Sequence, residues 1–543
     1  MKRIDRFLAR PLALVVVCSL WMATVGNVPL WREFGELAFF DDASGWALAG
    51  ALALVIAAVL VALLSLLAWR GWLKPAMWLL LFASAIGVHF MLQYHVVIDS
   101  GMLLNALQSD RRESADLLGP GLAFSAIWGA ALPAWLVWRT PLDLTFDRQR
   151  IFRNVASALA ALLLGTVVVM ACFQPLASAM RNHKQLRYLM NPLNTVYAVG
   201  QLAVKPLRRD ARRLEPLGRD ARLGATGQRP PLLVLVLGET ARAGNFGLNG
   251  YPRNTTPELA AVGVASFRDV ESCGTSTAAS VPCMFSHLGR ERFAARDAEH
   301  ENLLDVLQHA GLAVLWVDNQ GGCKGVCDRI SQASTVGETD ADLCRDGECQ
   351  DEILLRRLDA RIAALPAAAR ERGVVVVLHP MGSHGPAYSR RSPAGFKRFQ
   401  PECVSNRLTD CDRAAIVNAY DNSIAYVDHL LSSTIGWLRE RSAGFDTAML
   451  YVADHGESLG ENNLYLHGLP RAIAPRVQLQ VPWVSWFSPA FEQRTGIASD
   501  CLQHRRDVRL SHDHYFHSVL GVLDVRTTVY DSSLDAYAAC RPQ

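Results

Sequence analysis

The stretch Met449-Leu450-Tyr451-Val452-Ala453-Asp454-His455-Gly456-Glu457-Ser458 is an apolar run of strand character that stops abruptly at a carboxylate and an imidazole. Open α/β sheets deliver ligands to their carboxyl edge in this way. An oxygen beside an imidazole nitrogen suits zinc, although Asp-His-Gly alone is also ordinary turn chemistry. Three further clusters weigh against the ordinary reading. Gly238-Glu239-Thr240-Ala241-Arg242 follows the run Leu232–Leu237, His379 and Met381-Gly382-Ser383-His384-Gly385-Pro386 follow Val374–Leu378, and His467-Gly468 lies on the loop after Asp454. Oxygen and nitrogen ligands gathered past several strand-like runs point to a metal centre. Ser272-Cys273-Gly274-Thr275-Ser276-Thr277-Ala278-Ala279-Ser280 adds hydroxyls just before a helical stretch, where backbone N–H groups favour an anionic phosphoryl group. A hydroxyl beside zinc becomes acidic enough to attack at neutral pH. The competing reading of that run is a Ser/Thr helix cap.

The elements that must hold these residues alternate. Apolar runs at Leu232–Leu237, Ala313–Val317, Val374–Leu378 and Ala448–Val452 are separated by helical stretches at Asn302–Ala310, Glu352–Leu365 and Ala414–Glu440. The simplest architecture is a buried parallel sheet with helices on both faces. Ser511-His512-Asp513-His514, with His517, reads as a capped helix start rather than a further metal site.

The N-terminal third is different. Five stretches, roughly Pro11–Leu30, Trp46–Ala68, Ala76–Val97, Leu118–Trp138 and Val155–Leu176, are apolar over the length a bilayer requires, about 20 residues each. The first is read as a retained anchor, since four more spans follow. Basic residues place the N-terminus, the turn with Arg70 and Lys74, and the loop with Arg139, Arg148, Arg150 and Arg153 in the cytoplasm, so everything after residue 176 lies outside it.

Cysteine usage is an independent check on that topology. Of 12 cysteines, Cys18 and Cys172 lie in spans and the rest form close pairs, Cys273/Cys283, Cys323/Cys327, Cys344/Cys349 and Cys403/Cys411, leaving Cys501 and Cys540. Disulfides in an oxidising compartment are expected, with Cys501–Cys540 paired by elimination. Residues 177–230 are basic and helix-like and suit an amphipathic helix on the membrane surface or a solvated linker. The division expected is therefore a transmembrane domain over 1–176, a bridge over 177–230 and a catalytic domain over 231–543. A net charge of +3 is too small to argue for nucleic acid.

Taken together and in order, Leu237-Gly238-Glu239-Thr240-Ala241-Arg242, Asn249-Gly250-Tyr251, Ser272-Cys273-Gly274-Thr275-Ser276-Thr277, Val281-Pro282-Cys283-Met284-Phe285-Ser286 and Asp454-His455-Gly456-Glu457-Ser458-Leu459-Gly460-Glu461-Asn462 resemble the lipid A phosphoethanolamine transferases. These are inner-membrane enzymes that include the mobile colistin-resistance enzymes. The resemblance implies five spans followed by a periplasmic α/β domain of alkaline phosphatase/sulfatase type. It implies zinc held by Glu239, Asp454, His455 and a nucleophilic threonine, Thr277, with Thr275 the competing choice. His384 and His467 would bind phosphate or a second zinc, and Lys324 would contact substrate. Asn105, Ser109 and Glu113, spaced along one helix face, would meet the lipid headgroup.

The activity implied is transfer of phosphoethanolamine from phosphatidylethanolamine to a phosphate of lipid A through a covalent threonine intermediate, by a monomer among inner-membrane lipids. A sister transferase acting on lipopolysaccharide core or another periplasmic glycan, or one moving phosphoglycerol, is the enzymatic alternative. A sulfatase is disfavoured because its Cys/Ser-x-Pro-x-Arg pattern is missing. A transporter with an outer binding module is disfavoured because the spans lack inverted repeats and charged pairs at mid-span.

Overall fold

The computed structural model describes residues 10–108, 115, 117–142, 144, 147–208, 210–224, 229–345 and 347–541. Ser109 and Glu113 lie outside these residues. The chain forms two compact units, Met1–Leu103 with Leu118–Ala203, and Leu104–Leu117 with Val204–Gln543.

The first unit contains five helices long and apolar enough to cross a membrane: α1 (Pro11–Glu36), α2 (Ala43–Leu66), α3 (Leu73–Tyr94), α4 (Pro120–Arg139) and α5 (Arg148–Ala171). Two of them start at acidic caps. Asp42 accepts from the Gly45 N–H at 2.7 Å and Asp147 from the Arg150 N–H at 2.5 Å. Inside the bundle Asn191 Nδ2 donates to the Ser84 and Gly26 carbonyls at 2.7 and 3.1 Å, and the Asn191 N–H donates to Asn27 Oδ1 at 2.8 Å. Small and polar residues of this kind hold helices together where lipid removes the hydrophobic drive.

Residues 177–230 are not helical throughout. Helices cover Phe173–Asn182, Gln185–Tyr188 and Leu193–Arg208, after which Asp210–Glu215 is a strand paired in parallel with Ala298–His300. Backbone pairing with the second unit overrides the local helical pattern there, and the segment is divided between the two units.

The second unit is built on an eight-stranded sheet. Its strands are β1 (Pro231–Gly238), β2 (Ala265–Glu271), β3 (Ala313–Asp318), β4 (Ser331–Ser334), β5 (Val374–His379), β6 (Asp446–Ala453), β7 (Gln480–Phe487) and β8 (Arg509–Ser511), in the order β8-β2-β7-β6-β1-β5-β3-β4. The central strands β1, β5 and β6 are buried at every residue, as continuous apolar runs require.

The sheet is not wholly parallel, because β7 runs against both β6 and β2. The chain leaves β6 at the carboxyl edge, forms its loops there, and re-enters the sheet from the same edge, so β7 has to run backwards. The helices of this unit include the short α6 (Thr277–Met284) and the long α7 (Arg413–Glu440). The helix expected over Glu352–Leu365 is instead a 3₁₀ turn, Asp351–Leu355, and a short helix, Leu358–Ala363, broken at Arg357 with φ +56°.

All five expected disulfides are present: Cys273–Cys283, Cys323–Cys327, Cys344–Cys349, Cys403–Cys411 and Cys501–Cys540. Cys18 and Cys172 are free thiols.

Candidate metal-centred active site

Strands β1 and β6 are neighbours with Gly238 opposite Ala453, so Glu239 and Asp454 leave the sheet side by side. The Asp454 N–H donates to the Gly238 carbonyl at 2.8 Å. Asp454 Oδ1 accepts from the Thr240 and His455 N–H groups at 3.1 and 2.7 Å, while its Oδ2 is buried and meets no donor. His455 Nδ1 donates to the Gly456 carbonyl at 2.9 Å. In the neutral ring that bond leaves Nε2 as the lone-pair nitrogen, 3.5 Å from Glu239 Oε1 and 3.4 Å from Asp454 Oδ2.

Thr277 completes the group. It is the first residue of α6, with Ser276 in the cap position, and its Oγ1 lies 3.1 Å from Glu239 Oε2 and 3.4 Å from His455 Nε2. Thr275 is held elsewhere, its hydroxyl donating to the Leu469 carbonyl at 2.7 Å.

These residues fit a divalent cation. Four ligand atoms around a tetrahedral ion with bonds of about 2.0–2.2 Å stand about 3.3–3.6 Å apart, close to the spacing of Glu239, Thr277, Asp454 and His455. Electrostatics agrees. Burial pushes the Asp454 carboxyl up to about 7, and the neighbouring Glu239 charge adds to the effect. Burial opposes a charged His455, but Asp454 and Glu239 outweigh it and raise the imidazole to about 10. Burial would likewise raise Glu239, yet His455 and the more distant His384 hold its carboxyl well below the usual range. Two buried carboxylates, with one imidazole to balance them, form a pocket that gains from positive charge.

The remaining expected residues surround this centre unevenly. The His467 ring lies 4.3 Å from that of His455 and 5.4 Å from that of His384, centroid to centroid. His467 Nδ1 donates to Glu457 Oε2 at 2.9 Å, and Tyr388 donates to Glu457 Oε1 at 2.7 Å, so a buried carboxylate fixes the ring. Lys324, with φ +52°, donates to the Gly321 and Gln108 carbonyls at 3.2 and 3.0 Å. Asn105 is half-buried on the helix Ser100–Gln108.

Several supporting residues have no site role in the sequence pattern, which reads His512 only as part of a capped helix start. Gln320 Nε2 donates to Glu239 Oε2 at 2.7 Å. His512 is buried and spans two site loops, accepting from the Cys273 N–H at Nδ1 (3.1 Å) and donating to the Ala453 carbonyl from Nε2 (2.9 Å). Asp318, at the end of β3, pairs with His379 Nδ1 at 2.7 Å. Asp351 accepts from the Met381 and Gly382 N–H groups at 2.7 and 2.9 Å and from Asn319 Nδ2 at 2.8 Å, clamping the loop that carries His384. The one signal available for these was position, since most lie within a few residues of a strand end.

Comparison with known proteins agrees with this architecture. Residues 231–525 match the sulfatase family model, and residues 56–207 match that of phosphoethanolamine transferase EptA/EptB. The phosphoethanolamine transferase EptA of Escherichia coli is 36% identical over 557 residues, 99% of each chain, and the phosphatidylethanolamine transferase Mcr-1 of Escherichia coli is 37% identical over 528 residues, 95% of each. The integral membrane lipooligosaccharide phosphoethanolamine transferase A of Neisseria meningitidis superposes with a TM-score of 0.91 at 34% identity, covering 98% of this chain and 99% of its own. With close relatives matched from end to end and both its membrane and its catalytic parts accounted for, the chain belongs to the EptA-type phosphoethanolamine transferases.

Proposed function

We propose that the protein transfers phosphoethanolamine from phosphatidylethanolamine to a phosphate of lipid A in the inner membrane, with its catalytic unit in the periplasm and zinc as its metal. The observation that carries this reading is the Thr277 hydroxyl seated within 3.1–3.4 Å of Glu239 and His455 at the start of a helix. Glu239, Thr277, Asp454 and His455 would hold the ion. Zinc in this position lowers the pKa of a coordinated hydroxyl and offsets phosphoryl charge.

The side chains then divide the work. Thr277 Oγ1 attacks the donor phosphorus; the new O–P bond forms as the bond to diacylglycerol oxygen breaks, and the threonine proton ends on that oxygen. The N-terminus of α6 presents N–H groups to the developing phosphoryl charge. His384 and His467, held by its Glu457–Tyr388 partners, bind phosphoryl oxygens or a second ion and are placed to move a proton. A lipid A phosphate oxygen then attacks the phosphothreonine phosphorus, the bond to Thr277 Oγ1 breaks, and the proton given up by the attacking phosphate hydroxyl ends on that oxygen. Lys324 would contact substrate and offset charge on the phosphoryl oxygens, and Asn105, Ser109 and Glu113 would meet the lipid headgroup.

Mass spectrometry of lipid A from cells making the protein tests this reading. One added phosphoethanolamine, absent when Thr277 is replaced by alanine, is expected. Unmodified lipid A beside a modified core glycan would move the acceptor to the sister reaction.

A further inference from the structure

A second cavity opens on the same sheet edge as the metal ligands. It has a volume of about 280 Å³ and is lined by Arg290, Arg471 and Arg509 together with Glu271, Asp513 and His514. Its position follows from register. Strand β7 pairs Trp483 with Val452 of β6 and Gln480 with Glu271 of β2, so Glu271 stands level with the residues that follow Ala453. Strands β6 and β2 are two intervals apart in the sheet, which places the cavity about 10 Å along the edge from Asp454 and His455.

Its chemistry is cationic. Glu271 is shared, pairing with Arg471 and lying 3.1 Å from Arg509 Nη2. Asp513 gives one carboxylate oxygen to the Arg290 backbone N–H at 2.8 Å. Three guanidinium groups therefore line the cavity beside the carboxylates of Glu271 and Asp513, while Glu291, paired with Arg290 at 3.3 Å, supplies a third carboxylate from outside the lining. Arg471 is held below the usual arginine range, first by burial and then by the charge of Arg290, against the opposing pull of Glu271. A guanidinium desolvated in this way gains from an added anion.

The cavity also borders the reacting loops. Arg471 Nη1 donates to the Ser272 carbonyl at 2.7 Å, at the start of the loop that ends in Thr277. The same arginine follows His467 and Gly468, and the Gly468 N–H donates to the Thr275 carbonyl at 2.7 Å. Planar guanidinium groups converging from separate segments suit the tetrahedral oxygens of a phosphate monoester.

We propose that this arginine-lined cavity is a second phosphate subsite, holding one phosphate of a bisphosphorylated glycolipid acceptor while another phosphate of the same molecule is presented at Thr277. The inference rests on the acceptor reading given under Proposed function and extends it. Phosphate seated there would orient the acceptor along the sheet edge and favour acceptors that carry both phosphates. Free phosphate offers the same chemistry and is the competing occupant.

The test uses the full-length enzyme in detergent micelles, with the double variant Arg290→Gln/Arg509→Gln, which leaves Arg471 in place. Diacylglycerol release from phosphatidylethanolamine is followed separately from transfer to bisphosphorylated and monophosphorylated lipid A. The wild type should prefer the bisphosphorylated acceptor, and the variant should lose about tenfold or more in kcat/KM on it. Diacylglycerol release and the rate with the monophosphorylated acceptor should stay unchanged. Equal acceptor preference in wild type and variant overturns the subsite. Inorganic phosphate that raises the Tm of the wild type but not of the variant, with acceptor preference untouched, assigns the cavity to free phosphate and likewise overturns it. A wild type that releases diacylglycerol yet modifies neither lipid A overturns the acceptor reading itself, and the subsite with it.

Discussion

Gly382 lies against the backbone of Glu239: a Cβ at Gly382 would come within 2.7 Å of the Glu239 carbonyl oxygen, and Gly382 has φ +55°. The next residue fastens the same contact, because the Ser383 N–H donates to that oxygen at 3.1 Å. The loop bearing His384 is thus laid directly on the strand end bearing Glu239, with Asp351 holding it from the other side. Gly382→Ala should cost about 1–3 kcal/mol through backbone strain and displace His384 as well. Denaturant unfolding and transfer assays check both parts. A variant with wild-type stability and turnover would show that the close approach is not needed.

Thr277→Ala should abolish transfer, while Thr275→Ala should keep part of it, because the Thr275 hydroxyl is engaged with the Leu469 carbonyl rather than with the ligand cluster. Lipid A mass spectra together with membrane-fraction immunoblots measure this pair. An inactive Thr275→Ala beside an active Thr277→Ala would reassign the nucleophile.

Metal removal should destabilise the protein measurably, because Glu239 and Asp454 are buried and lose their counter-charge. Dialysis against a chelator should lower Tm by several degrees, and added zinc should restore it. Asp454→Asn should show a smaller response to both treatments. Thermal scans that ignore the chelator would leave the carboxylates without a metal to explain them.

A pH effect is expected away from the metal centre. His429 lies with Nε2 3.5 Å from Glu352 Oε1 and Nδ1 3.0 Å from Glu258 Oε2. The hydrogen bond to Glu352 leads the effect and, with the bond to Glu258, outweighs burial, raising the imidazole to about 9. The folded pKa exceeds the free value of about 6.5, so the stabilisation is complete below that pH. It fades as pH rises through about 9. His429 is partly exposed, which limits the effect to about 0.5–1 kcal/mol. Wild type and His429→Gln should differ in unfolding midpoint near neutral pH and converge in alkaline buffer; a constant offset would contradict this.

The soluble part from about residue 231 should bind zinc and cleave a small phosphodiester slowly, yet fail to modify lipid A in mixed micelles. Residues 104–117 cluster with the catalytic unit although they are inserted between two spans, and the fragment lacks them. Replacing Asn105 and Glu113 together should reduce transfer by the intact enzyme without changing its zinc content, since positioning is worth orders of magnitude in rate. Equal activity of fragment and full chain on lipid A would end the case for that segment.

The legible parts of the sequence were those fixed by local pattern. Val374–Leu378 and Leu232–Leu237 are continuous apolar runs and became central strands. Strand β7 was hidden because Pro482 interrupts its pattern; the proline falls where pairing with β2 shifts register between Val481 and Trp483. Strand β2 was hidden because Arg268 and Asp269 break its apolar run. In the site, the strand-end carboxylates and imidazoles were visible as types at expected positions. Asp351, Gln320 and His512 were not, since each acts only through a partner brought close by folding, such as the Met381 N–H or the Ala453 carbonyl. Local pattern alone did not separate Thr277 from Thr275, because one precedes and the other opens the same helix and only the turn between them decides which hydroxyl faces Glu239.

The position of β1 has a consequence for biogenesis. It pairs on one side with Val374–Leu378 and on the other with Asp446–Ala453, far later in the chain. As the polypeptide is exported from its N-terminus onward, β1 emerges early and waits with an open hydrogen-bonding edge until most of the catalytic unit has followed it. Long-range parallel pairing of this kind is slow and leaves the nascent chain prone to association with itself. Because Asp454 and His455 arrive on the strand that closes this edge, burial of the edge and assembly of the Glu239, Asp454 and His455 cluster are one folding event. A chain that stops short of residue 446 therefore combines an open sheet edge with an incomplete cluster of Glu239, Asp454 and His455, and periplasmic chaperones and proteases meet the two defects together.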